Sequence, residues 1–247
     1  APGVLTREWQ ENGRHYFHYK SDAPMQNFLA FMSAKYEKLS IKYNGVDIEI
    51  YYHGDHQVNV DRMSHAVEDA LDYFSTNFGA YPHRQVRIVE FPWYRNFAQS
   101  FPNTIAFSER LGFITDLRDE NTIDQIYYVI AHEMAHQWWG NQVDTANVQG
   151  SGMVMETLAQ YSALMLFKQK YGDIKLRRIL KMELDNYLRG RSSELVEEQP
   201  LMRVENQKYI HYHKGSIAMM ALVDLLGEQR LNHALYNFVQ RYQFVET

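Results

Sequence analysis

Two histidines four residues apart, His132 and His136, enclose Glu133-Met134-Ala135 within an apolar stretch. On an α-helix, at about 100° per residue, both project from one face and can grip a single metal ion. Glu133 stands beside them, where a carboxylate can take a proton from water at the metal. That is zinc hydrolase chemistry, which needs a third protein ligand and one open position for water. Glu156, 20 positions past the second histidine, opens the stretch Glu156-Thr157-Leu158-Ala159-Gln160-Tyr161, and a helix hairpin would return it to the pair. A carboxylate at a helix start would also suit the macrodipole without any metal.

The remaining composition narrows the options. With no cysteine, thiolate sites, catalytic thiols and disulfides are excluded, so a metal must be held by histidine and carboxylate. A net charge of −5 and the lack of a basic run leave no electrostatic footprint for nucleic acid or anionic lipid. The longest apolar stretch, Ile217 to Leu226, is interrupted by Asp224 and has about half the length needed to span a bilayer. No membrane contact is expected from this segment itself. The 18 Tyr, 13 Phe and 4 Trp give ample core for one large domain or two lobes. The chain opens at Ala1 without a methionine, lacks a signal-peptide pattern and stops directly after a helical pattern, so a piece of a longer protein is expected.

These side chains must be positioned by a chain whose pattern changes near residue 61. Before it, Ser40 to Tyr43 and Val46 to Tyr52 alternate apolar with polar around Asn44-Gly45, a hairpin signal. Met63, Val67, Leu71, Phe74 and Phe78 then mark an amphipathic helix over 62–78, with Asp61 as N-cap and Gly79 past its end. Val86 to Phe91 and Thr104 to Phe107 read as strands, and Thr122 with Gln125 as a capping box opening a helix that runs to Gly140. Further helices are expected at 153–171, 174–189, 208–226 and 229–242. Gly172, Gly190 and Gly227 are their stops, and 191–207 is a polar loop.

Val129 to Val143, VIAHEMAHQWWGNQV, resembles the zinc-binding helix of M1 family gluzincin aminopeptidases. Glu156-Thr157-Leu158-Ala159-Gln160-Tyr161 is similar to that family's third-ligand helix, and Tyr212-His213-Lys214-Gly215 to its Tyr-x-Lys-Gly. The resemblance implies an α+β fold, a thermolysin-like catalytic domain with a small β-sheet lobe followed by a mainly helical lobe. It implies one Zn²⁺ per chain on His132, His136 and Glu156, Glu133 as proton carrier, and Tyr212 stabilising the tetrahedral intermediate of a peptide substrate. Tyr209 is the alternative donor; His211 and His213 are bystanders. Ala23-Pro24-Met25 through Ala30-Phe31 is similar to the last strands of the family's N-terminal β-domain. Residues 1–45 are therefore expected to be its remnant, with the catalytic domain over 46–247, β-rich to about 120 and helical from about 121. Similar domains are carried by large bacterial membrane proteins with permease segments, which implies a membrane-anchored parent.

Two departures bear on function. The family has 18 residues between second histidine and glutamate; here there are 19, which puts Met155 in the strict position and the surplus residue in the loop Asp144 to Gly152. The family's Gly-x-Met-Glu-Asn strand, whose Glu binds the substrate's free amine, falls near 98–103. Asn103 matches, but Pro102 stands where the Glu belongs, leaving Glu90 or Glu109 as substitutes or as structural carboxylates. The resulting expectation is zinc-dependent peptide hydrolysis, aminopeptidase-like with altered amine recognition. The alternative is a zinc- and peptide-binding module with little turnover inside a larger membrane-associated assembly.

Overall fold

The computed structural model describes residues 1–119 and 122–245. Its first two strands, β1 (Val4–Glu11) and β2 (Arg14–Lys20), form a separate antiparallel hairpin. Their turn, Asn12-Gly13, has positive φ at both residues (50° and 72°), the pattern of the tight turns that match strand twist. The strands expected within 23–31 are not there: residues 21–36 contain no strand, and the β structure of this region lies in 4–20 instead.

The main sheet has the order β3-β4-β5-β7-β6, built from β3 (Glu37–Tyr43), β4 (Val46–Tyr52), β5 (Gln85–Phe91), β6 (Ala98–Phe101) and β7 (Thr104–Ser108). The outer pairs are antiparallel; β4, β5 and β7 run parallel. Asn44-Gly45 is the turn of the β3–β4 hairpin, whose seven residues per strand all pair. The expected division at residue 45 falls in the turn of that hairpin. Every residue of β5 is buried, because helices cover one face and the N-terminal segment the other. There the Arg87 guanidinium donates to the carbonyls of Ala1 (2.8 Å) and Gly3 (2.7 Å) and pairs with Glu49 at 2.6 Å.

Helix α1 (Val60–Phe78) begins two residues earlier than its periodicity indicated. Asp61 is not the cap; Asn59 precedes the helix and its amide donates to the carbonyls of Gly112 (2.8 Å) and Thr115 (2.9 Å). Helix α2 (Gln125–Ala135) is capped by Asp124, which accepts from the Tyr127 N–H at 2.9 Å, and not by Thr122. Asp124 also takes Arg62 and the Tyr171 hydroxyl, partners from α1 and the next helix that Thr122 could not serve. The helix stops at Ala135, short of Gly140, because Trp138 and Trp139 must turn into the core.

The rest is helical. A π-helical turn, Met153–Thr157, runs into α3 (Leu158–Ser193), broken at Gly172 (φ 77°) as expected. Gly190 is no stop; a Cβ there would lie 2.3 Å from that of Tyr209, so the glycine permits a close approach instead. A second π-helical turn, Tyr209–Lys214, continues into α4 (Gly215–Leu226), and α5 (Glu228–Tyr242) closes the described chain. Among the described residues no helix is long and apolar enough to cross a membrane. The fold is α+β, β-rich in its first half and helical in its second.

His83, in the turn before β5, is 6% exposed, and burial lowers its pKa to about 4 despite the nearby Asp22. The unfolded chain, with histidine near 6.5, therefore binds the extra proton in this window. His83 should leave stability intact above pH 6.5 and reduce it as pH falls to 4, by roughly 3 kcal/mol if the full shift is expressed. Urea unfolding at pH 7 and pH 4 should show a smaller acid loss for His83→Gln than for the parent; equal losses would contradict this.

Candidate metal centre

Helix α2 carries His132 and His136 near its C-terminal end, and the π-helical turn before α3 brings Glu156 against them. The three ligand atoms form a triangle: Nε2 to Nε2 is 3.1 Å, and Glu156 Oε2 lies 3.4 Å from each imidazole. Around tetrahedral zinc with bonds of about 2.0–2.1 Å, ligand atoms stand about 3.3 Å apart, so the triangle has the right size. The His136 Nδ1–H donates to the Trp139 carbonyl at 3.0 Å, which fixes the tautomer and turns the Nε2 lone pair into the cluster. Glu156 Oε2 is buried and makes no hydrogen bond. Burial works to raise the Glu156 pKa, but His132 and His136 outweigh it and hold the carboxyl well below the usual range. Burial likewise lowers that of His136, yet Glu156 pushes it up to about 9. The point of convergence favours positive charge.

The turn bearing Glu156 is π-helical, and a π-helix carries more residues per turn than an α-helix. Met155 is turned aside: a Cβ on Gly140 would lie 3.7 Å from its Cγ, which places it over the turn after His136.

Glu133 is 6% exposed. Burial raises its pKa, and the two histidines and, more weakly, the backbone of Ser100 in β6 partly offset this. Tyr212 projects from the second π-helical turn with its ring 5.9 Å from that of His132. Burial and the adjacent Glu156 keep its phenol protonated. Tyr209 instead stacks on Tyr187 at 6.2 Å, and the charges it feels are Glu194, Glu198 and Arg191, so it lies in a different cluster. His211 is buried near Gly152, and His213 pairs with Glu183 at 2.5 Å.

Pro102 and Asn103 form the two-residue turn between β6 and β7, with Asn103 at φ 49°. Glu90 and Glu109 are engaged elsewhere: Glu90 accepts from His53 N (2.6 Å) and contacts His56 Nδ1 (2.5 Å), and Glu109 accepts from Trp93 N (2.9 Å). Neither is among the charges felt by Glu133 or Tyr212.

With this geometry in place, a model of the peptidase family M1 domain matches residues 60–247. The chain belongs to peptidase family M1. Human endoplasmic reticulum aminopeptidase 2 is 24% identical over 254 residues, a match covering 98% of this chain and 26% of that protein. Mouse aminopeptidase N is 23% identical, covering 89% of this chain and 24% of its own. The chain thus spans about a quarter of the length of these curated relatives. An M1 zinc metallopeptidase from Deinococcus radiodurans aligns with a TM-score of 0.67 at 18% identity, covering 99% of this chain and 54% of that one. A mutant of that enzyme bound to a Tyr-Ser-Ala substrate aligns at 0.69 with 19% identity.

Two residues that position this M1 site escaped the sequence reading. Gln137, 1% exposed, accepts from Asn103 N (2.7 Å) and donates to Ser100 Oγ (2.7 Å) and the Phe101 carbonyl (2.9 Å), tying the metal helix to β6. Its place directly after the second histidine was the only signal. The buried Thr157 hydroxyl donates to the His211 carbonyl at 2.6 Å and joins the two π-helical turns. A Cβ on Gly215 would lie 2.5 Å from that hydroxyl, so the glycine makes room for it. Thr157→Val keeps the shape and loses the donor; leaving the carbonyl unpaired should cost about 1–3 kcal/mol. In urea unfolding Thr157→Ser should recover most of it, and equal losses for both variants would assign the effect to packing.

Proposed function

We propose that this M1 chain performs zinc-dependent hydrolysis of peptide bonds. The observation that carries the reading is the triangle of two imidazole nitrogens and one carboxylate oxygen, with edges of 3.1–3.4 Å. His132, His136 and Glu156 would hold the ion. Zinc, when bound, supplies a Lewis acid that polarises a carbonyl and brings the pKa of water near neutrality. The relatives' names, aminopeptidases, and the tripeptide complex of a structural neighbour support a peptide as substrate.

The chain's own residues do the rest. Glu133, whose pKa burial raises, accepts the proton of the attacking water and passes it to the leaving amine. Tyr212, held protonated, donates a hydrogen bond to the carbonyl oxygen as negative charge develops there. Strand β6 is a sheet edge, which suits an extended peptide laid beside it. The rival reading of a silent binding module is disfavoured because both the proton carrier and the oxyanion donor stand at the cluster.

Purified protein should carry zinc that His136→Ala loses from this centre. Glu133→Gln should keep that zinc and lose nearly all hydrolysis; loss of the metal instead would make Glu133 a ligand. Tyr212→Phe should lower kcat by about 10²-fold with little change in KM, the pattern of an interaction made mainly in the transition state. Near-parental kcat in that variant would remove Tyr212 from the mechanism.

Pro102 offers no acceptor for a substrate ammonium, and Glu90 and Glu109 are bound to other partners. The charge-assisted hydrogen bond forgone is worth about 1.5–3 kcal/mol. N-acetylated peptides should therefore be cleaved within about tenfold of their free-amine counterparts, measured as kcat/KM. A preference above a thousandfold for the free amine would show that another acidic group has taken over.

A further inference from the structure

A second set of metal-ligating side chains converges where none of the chemistry above takes place. His56 comes from the segment between β4 and α1, Glu90 from the end of β5, and Glu109 directly follows β7. One imidazole nitrogen and one oxygen from each carboxylate all lie within 4.8 Å of one another. Glu90 is 4% exposed, yet among the described residues neither glutamate forms an ion pair with Lys or Arg. Arg110, next in sequence to Glu109, is committed to the Trp93 ring at 3.9 Å. Two carboxylates this close, one almost wholly out of water, repel each other strongly unless positive charge stands between them.

The cluster is separate from the zinc centre. Gln137, beside His136, holds the Pro102-Asn103 turn at the start of β7, whereas Glu109 follows its other end. Five strand residues at about 3.3 Å each put some 17 Å between the two ends.

We propose that His56, Glu90 and Glu109 bind a second divalent transition-metal ion, zinc or manganese, which cross-links the entry to α1 with the ends of β5 and β7. One imidazole and two carboxylates match the preference of such ions, whereas calcium favours all-oxygen sites. The carboxylates are aimed in advance: the His53 N–H holds Glu90 at 2.6 Å and the Trp93 N–H holds Glu109 at 2.9 Å. The ion would take the place of the direct contact between His56 Nδ1 and Glu90 at 2.5 Å. Its role is structural, because it also fixes Trp93 and the loop leading into β6.

The test uses His136→Ala as parent, so that the zinc centre does not contribute. After dialysis against zinc or manganese and gel filtration, this protein should retain one ion per chain by elemental analysis. A hundredfold excess over Kd should raise its Tm by about 5 °C or more. His136→Ala/Glu90→Gln and His136→Ala/His56→Ala should retain none and show no metal-dependent shift. If either unfolds, Glu109→Gln in the same background, at a less buried carboxylate, gives the same readout. Absence of bound ion in His136→Ala, or an equal Tm shift in all variants, would overturn the proposal. Stabilisation by calcium alone would overturn the assigned metal class.

Discussion

Glu156 is a carboxylate largely removed from water and placed against two imidazoles, and this arrangement sets the terms for the rest of the molecule. Such a group is tolerable only where positive charge is held beside it at fixed distance, since an unpaired buried charge costs several kcal/mol. Neither partner can drift, so α2 and α3 must be locked together. The locks are visible: Tyr128 donates to Gln160 at 3.0 Å within the interface, and Trp139 donates to Ser162 at 2.9 Å. Trp138 donates to the Gly79 carbonyl at 2.8 Å and packs on Phe74, which secures α2 to α1. The apolar layer under the metal helix provides the rigidity that the charges need.

Both π-helical turns belong to the same arrangement. A π turn is less favourable than an α turn and persists where packing or function holds it. Here each carries one residue of the site, Glu156 or Tyr212, and the two turns are bound to each other through Thr157 and the His211 carbonyl. Glycines at 152 and 215 let the backbones meet, since a Cβ at either would press on His211 or Thr157. The relation between the third ligand and the phenol is therefore set by one contact between two local irregularities.

This also explains what could be read from the sequence and what could not. His132, Glu133 and His136 lie within five residues of one regular helix, so periodicity alone places them. Glu156 could be proposed only from the need for a third ligand and a helix hairpin, and Tyr212 only from a resemblance, because a π turn breaks the 100° rule that would predict their directions. The β3–β4 hairpin announced itself through Asn44-Gly45. Asn12-Gly13 carries the same signal and turns the β1–β2 hairpin, whereas 23–31, similar in sequence to strands of the family, forms none. Asp124 displaced Thr122 as cap for a tertiary reason: it serves α1, α2 and α3 together. The cluster at His56, Glu90 and Glu109 joins segments more than 50 residues apart at its extremes, and no local pattern encodes it.

Gln137 links catalysis to recognition by way of the backbone. Its amide spans from the residue after the second histidine to both sides of the Pro102-Asn103 turn, and it also donates to the Ser100 hydroxyl. The edge strand is thus held at two points by the helix that bears the metal ligands. Any displacement of α2 would carry β6 with it, so the edge strand keeps its position relative to Glu133. Proline at 102 fits this role, because its fixed φ stiffens the turn. The turn then acts as a support for the strand, which keeps its place beside the helix that carries His132 and His136.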